Sequence, residues 1–299
     1  MVRHLFGRLL AVFLLVVTMP TSAYALVGIF YQPQERDMRL PESFWPQTFA
    51  HVRQLGFDTV IFQWSRYGDI FSEGRQQQWL EQRAADAVAA DLNVVMGLYA
   101  DPDSFSAVEV GSDLLEPYFL KVMAHNLDLV KRWGKAPHQD RLIGWYLPFE
   151  VDDRRWRGVD DQRALAEHLG RETREIQAIS DRPVFVSSFF NGNATPRQFS
   201  ELIKRLGQTA GLHVWVQDGV GTGTLSPVAT RRYLAELTRC DDLFAAGIVY
   251  ELFEQTGPDS AFVANPLPAA ALRRALKQRA PCEMQTTFFS LRYVVPFGD

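Results

Sequence analysis

Beyond residue 25, short apolar runs alternate with amphipathic stretches along the whole chain. The runs Val27–Tyr31, Phe57–Trp64, Asn93–Tyr99, Leu142–Leu147, Pro183–Phe190, His213–Val216, Leu243–Tyr250 and Gln285–Leu291 are rich in β-branched and aromatic residues and predict eight strands. The fourth is expected to stop at Pro148, which has no N–H to give to a ladder. Between the runs, apolar residues recur at helical spacing. Examples are Trp45, Phe49 and Val52; Leu80, Ala84 and Ala87; Leu165, Leu169 and Ile176; and Phe199, Leu202 and Leu206. Thr195-Pro196-Arg197-Gln198 combines an N-cap, a first-turn proline and the far half of a capping box, so a helix should start there.

Eight strands separated by seven helices, with no linker or break in composition, imply parallel strands joined by helical crossovers. The count and the span fit a single α/β domain of (β/α)8 TIM-barrel type. A doubly wound open sheet is the rival, but no G-x-G-x-x-G or P-loop follows any strand. Only eight residues follow Leu291, which leaves no room for a last helix. That slot should stay open or be filled by another segment.

Residues 1–25 read differently. Arg3, His4 and Arg8 precede an apolar run from Leu9 to Val17, and Ala23-Tyr24-Ala25 is an A-x-A site. This predicts a secretory signal peptide cleaved after Ala25, with the barrel occupying 26–299. The mature protein should be periplasmic or secreted, since no later segment is apolar enough to span a membrane. In such a compartment Cys240 and Cys282 can pair. Each lies just before a strand, the seventh and the eighth, and these starts are neighbours at the bottom of a barrel. A disulfide between them is therefore expected.

The 299 residues are 47% hydrophobic, enough for one large core. A net charge of −4 argues against a nucleic-acid partner, which requires a basic face.

In a barrel, chemistry gathers at the C-terminal ends of the strands. Those ends offer Tyr31 and Gln32; Trp64; Tyr99 and Asp101; Glu150; Asn191; Gln217 and Asp218; and Glu251 and Glu254. Carboxylates and amides bind hydroxyl groups, and aromatic rings stack on sugar faces, so the set predicts a carbohydrate cleft. Glycoside hydrolysis needs one carboxyl as acid and another as nucleophile or base. Glu150 suits the acid, because Pro148-Phe149 gives it an apolar approach that favours the protonated form. Glu251 suits the second role, with Tyr250 or Tyr31 expected to hold its carboxylate.

Blander readings compete. A strand-end glutamate also serves as a solvated loop residue or a cap partner, and Asp152 and Asp153 are expected to do so. Gly219, Gly221 and Gly223 read as a flexible lid or a tight turn. A non-catalytic carbohydrate-binding barrel would use the same aromatics. A metal-assisted polysaccharide deacetylase would need a ligand set. The six histidines show no paired spacing and no H-E-x-x-H, so no metal or cofactor is expected.

Glutamates at strands four and seven resemble the clan A glycoside hydrolases. That likeness implies an acid/base at Glu150 and a nucleophile at Glu251. Phe149 stands where that clan usually has asparagine. Gly28-Ile29-Phe30-Tyr31-Gln32, Gly144-Trp145-Tyr146-Leu147-Pro148-Phe149-Glu150, Gln217-Asp218-Gly219-Val220-Gly221 and Glu251-Leu252-Phe253-Glu254 are similar to signatures of the bacterial domain-of-unknown-function 4434 family. This resemblance implies a glycosidase-like barrel and places Asp218 in the site.

Overall fold

In the computed structural model, which describes residues 26–109, 112–257 and 263–297, eight parallel strands close into a barrel. They are β1 (Val27–Tyr31), β2 (Thr59–Phe62), β3 (Asn93–Gly97), β4 (Leu142–Asp152), β5 (Val184–Phe189), β6 (His213–Gln217), β7 (Gly247–Glu251) and β8 (Gln285–Phe289). β1 pairs with β8 in parallel, Val27 beside Thr286, and this closes the ring. The expected leader, residues 1–25, lies outside the described residues. Among the described residues no helix is long and apolar enough to cross a membrane.

The crossovers are α1 (Phe44–Gln54), α2 (Gly74–Ala89), α3 (Ser112–Trp133), α4 (Val159–Ile179), α5 (Pro196–Ala210), α6 (Pro227–Leu237) and α7 (Ala269–Ala275). The start of α5 forms as its sequence implies. Thr195 Oγ1 accepts from Gln198 N, and Gln198 Oε1 accepts from Thr195 N. These two bonds satisfy amides that the first helical turn would leave open.

The wall has apolar side chains on both faces. Inward lie Phe30, Ile61, Val95, Tyr146, Phe185, Trp215 and Val249. The outward side chains of the same strands pack under the helices in a second, larger core. Inside, Phe185 stacks on Trp215 at 4.3 Å, and Trp215 Nε1 donates to Gln285 Oε1 at 2.7 Å. The rings fit because Gly144 lacks a side chain: a Cβ there would sit 2.5 Å from the Phe185 ring.

β4 does not stop at Pro148. It continues to Asp152 by changing register. Leu147 pairs with Val186, and the next paired residue, Glu150, lies beside Ser187. Pro148 and Phe149 bulge out of the ladder between them, so the missing proline N–H breaks no bond. The Phe149 ring packs on Phe119 at 5.9 Å and Trp156 at 6.2 Å. Bulges bend a strand and re-aim its side chains. Here the bulge sets Glu150 level with the end of β5.

Among the described residues no α-helix follows β8. A short turn, Leu291–Tyr293, leads into a tail that folds back towards β1 and α1. Arg292 donates to the Asp37 carboxylate and, at 2.9 Å, to Gln32 O. Phe297 stacks on Tyr31 and meets Phe44 and Trp45. The tail thus takes ground that a last helix would have covered. Cys240 and Cys282 are bonded, with Cα atoms 5.3 Å apart. The bridge lies at the end of the barrel opposite the carboxyl termini of the strands. It closes a span of 42 residues, worth roughly 4 kcal/mol in the chain-entropy view.

Candidate active site

Alternation along a strand decides what reaches the barrel mouth. Tyr146 lies in the inner core, and Glu150, four residues on, faces the same side, where the bulge sets it beside Ser187. Trp215 and Val249 are inward, so Gln217 and Glu251, two residues on, are inward too. Gln217 Nε2 donates to Glu150 Oε1 at 2.8 Å. Below this bond Tyr146 OH and Ser187 Oγ lie 2.8 Å apart, each occupying the other. Glu150 keeps part of its surface open at the mouth, but crowding by protein raises its pKa. The Asp152 charge adds to that rise, and the Gln217 bond opposes it. A carboxyl of this kind stays protonated at a higher pH than usual, which is what a proton donor needs.

Glu251 is only 4% exposed. Its Oε2 accepts from Gly221 N at 2.6 Å. The loop after β6 turns back sharply at Gly219, whose φ is +66°, and this delivers the amide. Gly221 has no alternative: a Cβ would lie 2.8 Å from Phe253 O and 2.9 Å from Glu251 Oε2. The glycine-rich stretch is therefore a tight turn. Asp218, also 4% exposed, accepts through Oδ1 from Val220 N and Glu251 N. Burial pushes both carboxyls up, and the Asp218 charge pushes Glu251 further. Tyr250 does not hold Glu251: its ring packs outward on Phe288 at 5.6 Å.

The mouth thus gathers Glu150, Gln217, Asp218 and Glu251. Other expected residues lie elsewhere. Tyr31 corrects the expectation most clearly. It is fully buried and faces the helices, against Trp45, Phe62 and Phe297, with its OH donating to Asp37. Its neighbour Gln32 lies just beyond the end of β1, where its carbonyl accepts from Arg292. Trp64 is half-buried at the rim, 5.0 Å from the Tyr67 ring, with Nε1 tied to Pro33 O. Tyr99 is packed between His125 and Arg66. Its backbone N–H donates to Asn126, which in turn donates to buried Glu172. Asp101 borders a narrow side cleft with Tyr118, Phe149 and His168, behind the barrel wall. Asn191 is exposed, and its N–H donates to Asp153. Glu254 is exposed on a small hairpin, Phe253–Gln255 with Ala264–Pro266.

Asp153 does more than expected. It is 1% exposed and accepts from the backbone amides of Asn191, Gly192, Asn193 and Ala194, which fixes the loop after β5. Asp152 caps a turn through Arg154 N and Arg155 N. Two features escaped the sequence reading. The Gly221 amide leaves no mark in a sequence beyond the glycine. The Tyr146–Ser187 pair was accessible by counting two residues along each strand from an inward neighbour. Among the described residues, no group of three or more His, Cys, Asp and Glu side chains is placed to hold a metal ion.

The eight parallel strands close into a barrel of TIM type, and solved structures with that fold superpose on it. A proposed alpha-L-fucosidase from Bacteroides thetaiotaomicron VPI-5482 matches with a TM-score of 0.63 and 16% identity, covering 95% of this chain and 90% of that one. The catalytic domain of a beta-amylase from Paenibacillus polymyxa matches with a TM-score of 0.57 and 10% identity, covering 91% and 94%. At these identities the likeness is one of fold. The chain itself belongs to the family described as Domain of unknown function (DUF4434), whose profile matches residues 26–295. It is 36% identical over 288 residues to YbcH of Escherichia coli (strain K12), an uncharacterised protein, with 96% of each chain covered.

Proposed function

We propose that this protein is an exported glycoside hydrolase acting on a polysaccharide or oligosaccharide, with residues 26–299 as its catalytic barrel. The observation that carries this reading is the meeting of Glu150 from β4 and Glu251 from β7 in one barrel mouth, with Gln217 bonded to the first and Gly221 to the second. Glu150 gives its proton to the glycosidic oxygen as the bond from that oxygen to the anomeric carbon breaks. Glu251 either attacks that carbon or takes a proton from the water that does. In the first case Glu150, now a carboxylate, takes a proton from a water that attacks the same carbon as its bond to Glu251 breaks. Gln217, and Gln32 just beyond β1, serve as hydroxyl-binding amides, and Trp64 offers a ring at the rim.

A non-catalytic carbohydrate-binding barrel is the second reading. The deep burial of Glu251 favours it, because a reactive carboxylate has to be reached. Digestion of a panel of bacterial exopolysaccharides separates the two. Hydrolysis is expected to release reducing ends with the native protein and not with Glu150→Gln or Glu251→Gln. Retention of a glycan without cleavage would establish the binding reading, and full activity in both variants would remove the catalytic assignment.

A further inference from the structure

Two buried acidic residues, Asp218 and Glu251, are neighbours where β6 and β7 end. Asp218 N donates to Val249 O at 2.9 Å, which carries the β6–β7 ladder one residue beyond β6. Asp218 Oδ1 then accepts from Glu251 N at 3.3 Å, so the two residues are joined through backbone as well as lying together. Each is 4% exposed. Among the described residues neither forms an ion pair, whereas eleven pairs with Arg or Lys occur elsewhere. The titratable groups that bear on the pair are Glu150 across the mouth, Tyr250 beside Asp218, and Tyr293 beside Glu251. Arg279 bears on Tyr250 and Arg292 on Tyr293, and neither pairs with the carboxyls.

Two like charges in a buried site without a counter-ion repel, so the second ionisation is resisted. We propose that Asp218 is a positioning residue that acts through Glu251: the two carboxyl groups hold one proton between them, and Asp218 sets the pH at which Glu251 ionises. The directions of the shifts agree. Burial raises Glu251 first, the Asp218 charge second, and the Gly221 and Thr222 amides work against both. Asp218 is raised by burial, against the Val220 and Glu251 amides. The pair explains how so buried a glutamate can react. With the proton on Asp218, Glu251 is the ionised member, held by Gly221 N, and the net charge of the pocket is unchanged. This consequence rests on Glu251 as nucleophile or base, but the sharing of a proton does not.

The test uses no glycan. The full mature chain, labelled with 13C at Asp and Glu carboxyl carbons, is titrated by NMR, and the Glu251 signal is assigned by its loss in Glu251→Gln. Asp218→Asn keeps an oxygen for the same two amides. In that variant the Glu251 midpoint is expected to fall by about one unit or more, towards the ordinary range of a glutamate. A midpoint that stays or rises overturns the proposal. In the native chain the Asp218 and Glu251 signals are expected to show shared inflections, two steps seen by both carbons. Independent single steps would overturn it as well, even if Asp218→Asn did not fold. Failure of the hydrolase reading would be seen only in the digestion experiment and would leave these titrations unchanged.

Discussion

Gln217 Nε2 donates to Glu150 Oε1 across 2.8 Å, tying the end of β6 to the end of β4 over the top of β5. β5 does not compete for the bond, because its inward hydroxyl, Ser187 Oγ, is already paired with Tyr146 OH. The bulge at Pro148-Phe149 makes the bond possible by bringing Glu150 beside Ser187, where a regular ladder would have carried it two residues further.

That relationship predicts the behaviour of Gln217→Ala. The amide both orients Glu150 and opposes the rise in its pKa. Without it, kcat on a cleaved glycan should fall about 10- to 100-fold, the scale of a misplaced catalytic group. The alkaline limb of the pH–rate profile, which reports loss of the donor's proton, should move to higher pH. A limb that moves down would show that the amide does not stabilise the ionised form.

The carboxyl pair makes a prediction about stability. Glu251 has a higher pKa folded than unfolded, because burial and Asp218 disfavour its charge. As pH rises, the unfolded chain gives up this proton first, while the folded chain retains it. Stability therefore declines from the ordinary carboxylate range up to the raised folded value, and the loss is complete above it. Glu251→Gln has no proton to lose there. Its melting temperature relative to the native protein should be higher at about pH 9 than at about pH 4. Equal differences at the two pH values would refute the raised ionisation.

The C-terminal tail predicts a different loss. Asp37 is 2% exposed and accepts from Arg292, Tyr31 OH and Gln34 N. Arg292→Ala removes the cation and leaves a buried carboxylate without its counter-charge, which costs roughly 3–5 kcal/mol. Denaturant unfolding should show that loss, and Arg292→Lys should restore only part of it, since the same guanidinium also reaches Gln32 O. A loss within about 0.5 kcal/mol, typical of surface substitutions, would mean that the tail is not a fastening.

The barrel was legible because helical and strand periods alternate without interruption, and because the strand count leaves few topologies. The facing of individual strand residues was not legible. A parallel barrel is apolar on both sides of its wall, so hydrophobicity does not reveal which of two neighbours points inward. Tyr31 shows the difficulty, as a shift of one residue would turn it to the other side. Once the inner core is known, Phe30 settles the matter and sends Tyr31 to the helices. Pro148 misled for another reason. Its lack of an N–H does stop a regular ladder, but a bulge absorbs the defect and the strand resumes. Gln217, Asp218 and Glu251 were accessible because each directly ends or follows a strand, and Glu150 because it closely follows the apolar run of β4. The contacts that hold Asp218 and Glu251 come from backbone amides, which carry no residue identity.

Gly221 is where backbone and site chemistry coincide, and Gly221→Ala tests both. A Cβ there would lie 2.9 Å from Glu251 Oε2 and 2.8 Å from Phe253 O, closer than side chains tolerate. The loop also meets the hairpin, because Gln255 N donates to Gly221 O at 2.8 Å. A shift to relieve the clash must therefore lengthen the 2.6 Å bond from Gly221 N to Glu251, disturb the hairpin, or both. Overpacking of this kind costs about 1–3 kcal/mol. The amide is also one of the interactions that favour ionised Glu251, so weakening it should push the Glu251 titration higher. The expected result is a modestly destabilised protein in which Glu251 titrates at higher pH and glycan cleavage falls by more than the folded fraction does. If Gly221→Ala keeps native activity and an unmoved Glu251 titration, the amide is not what holds the carboxylate.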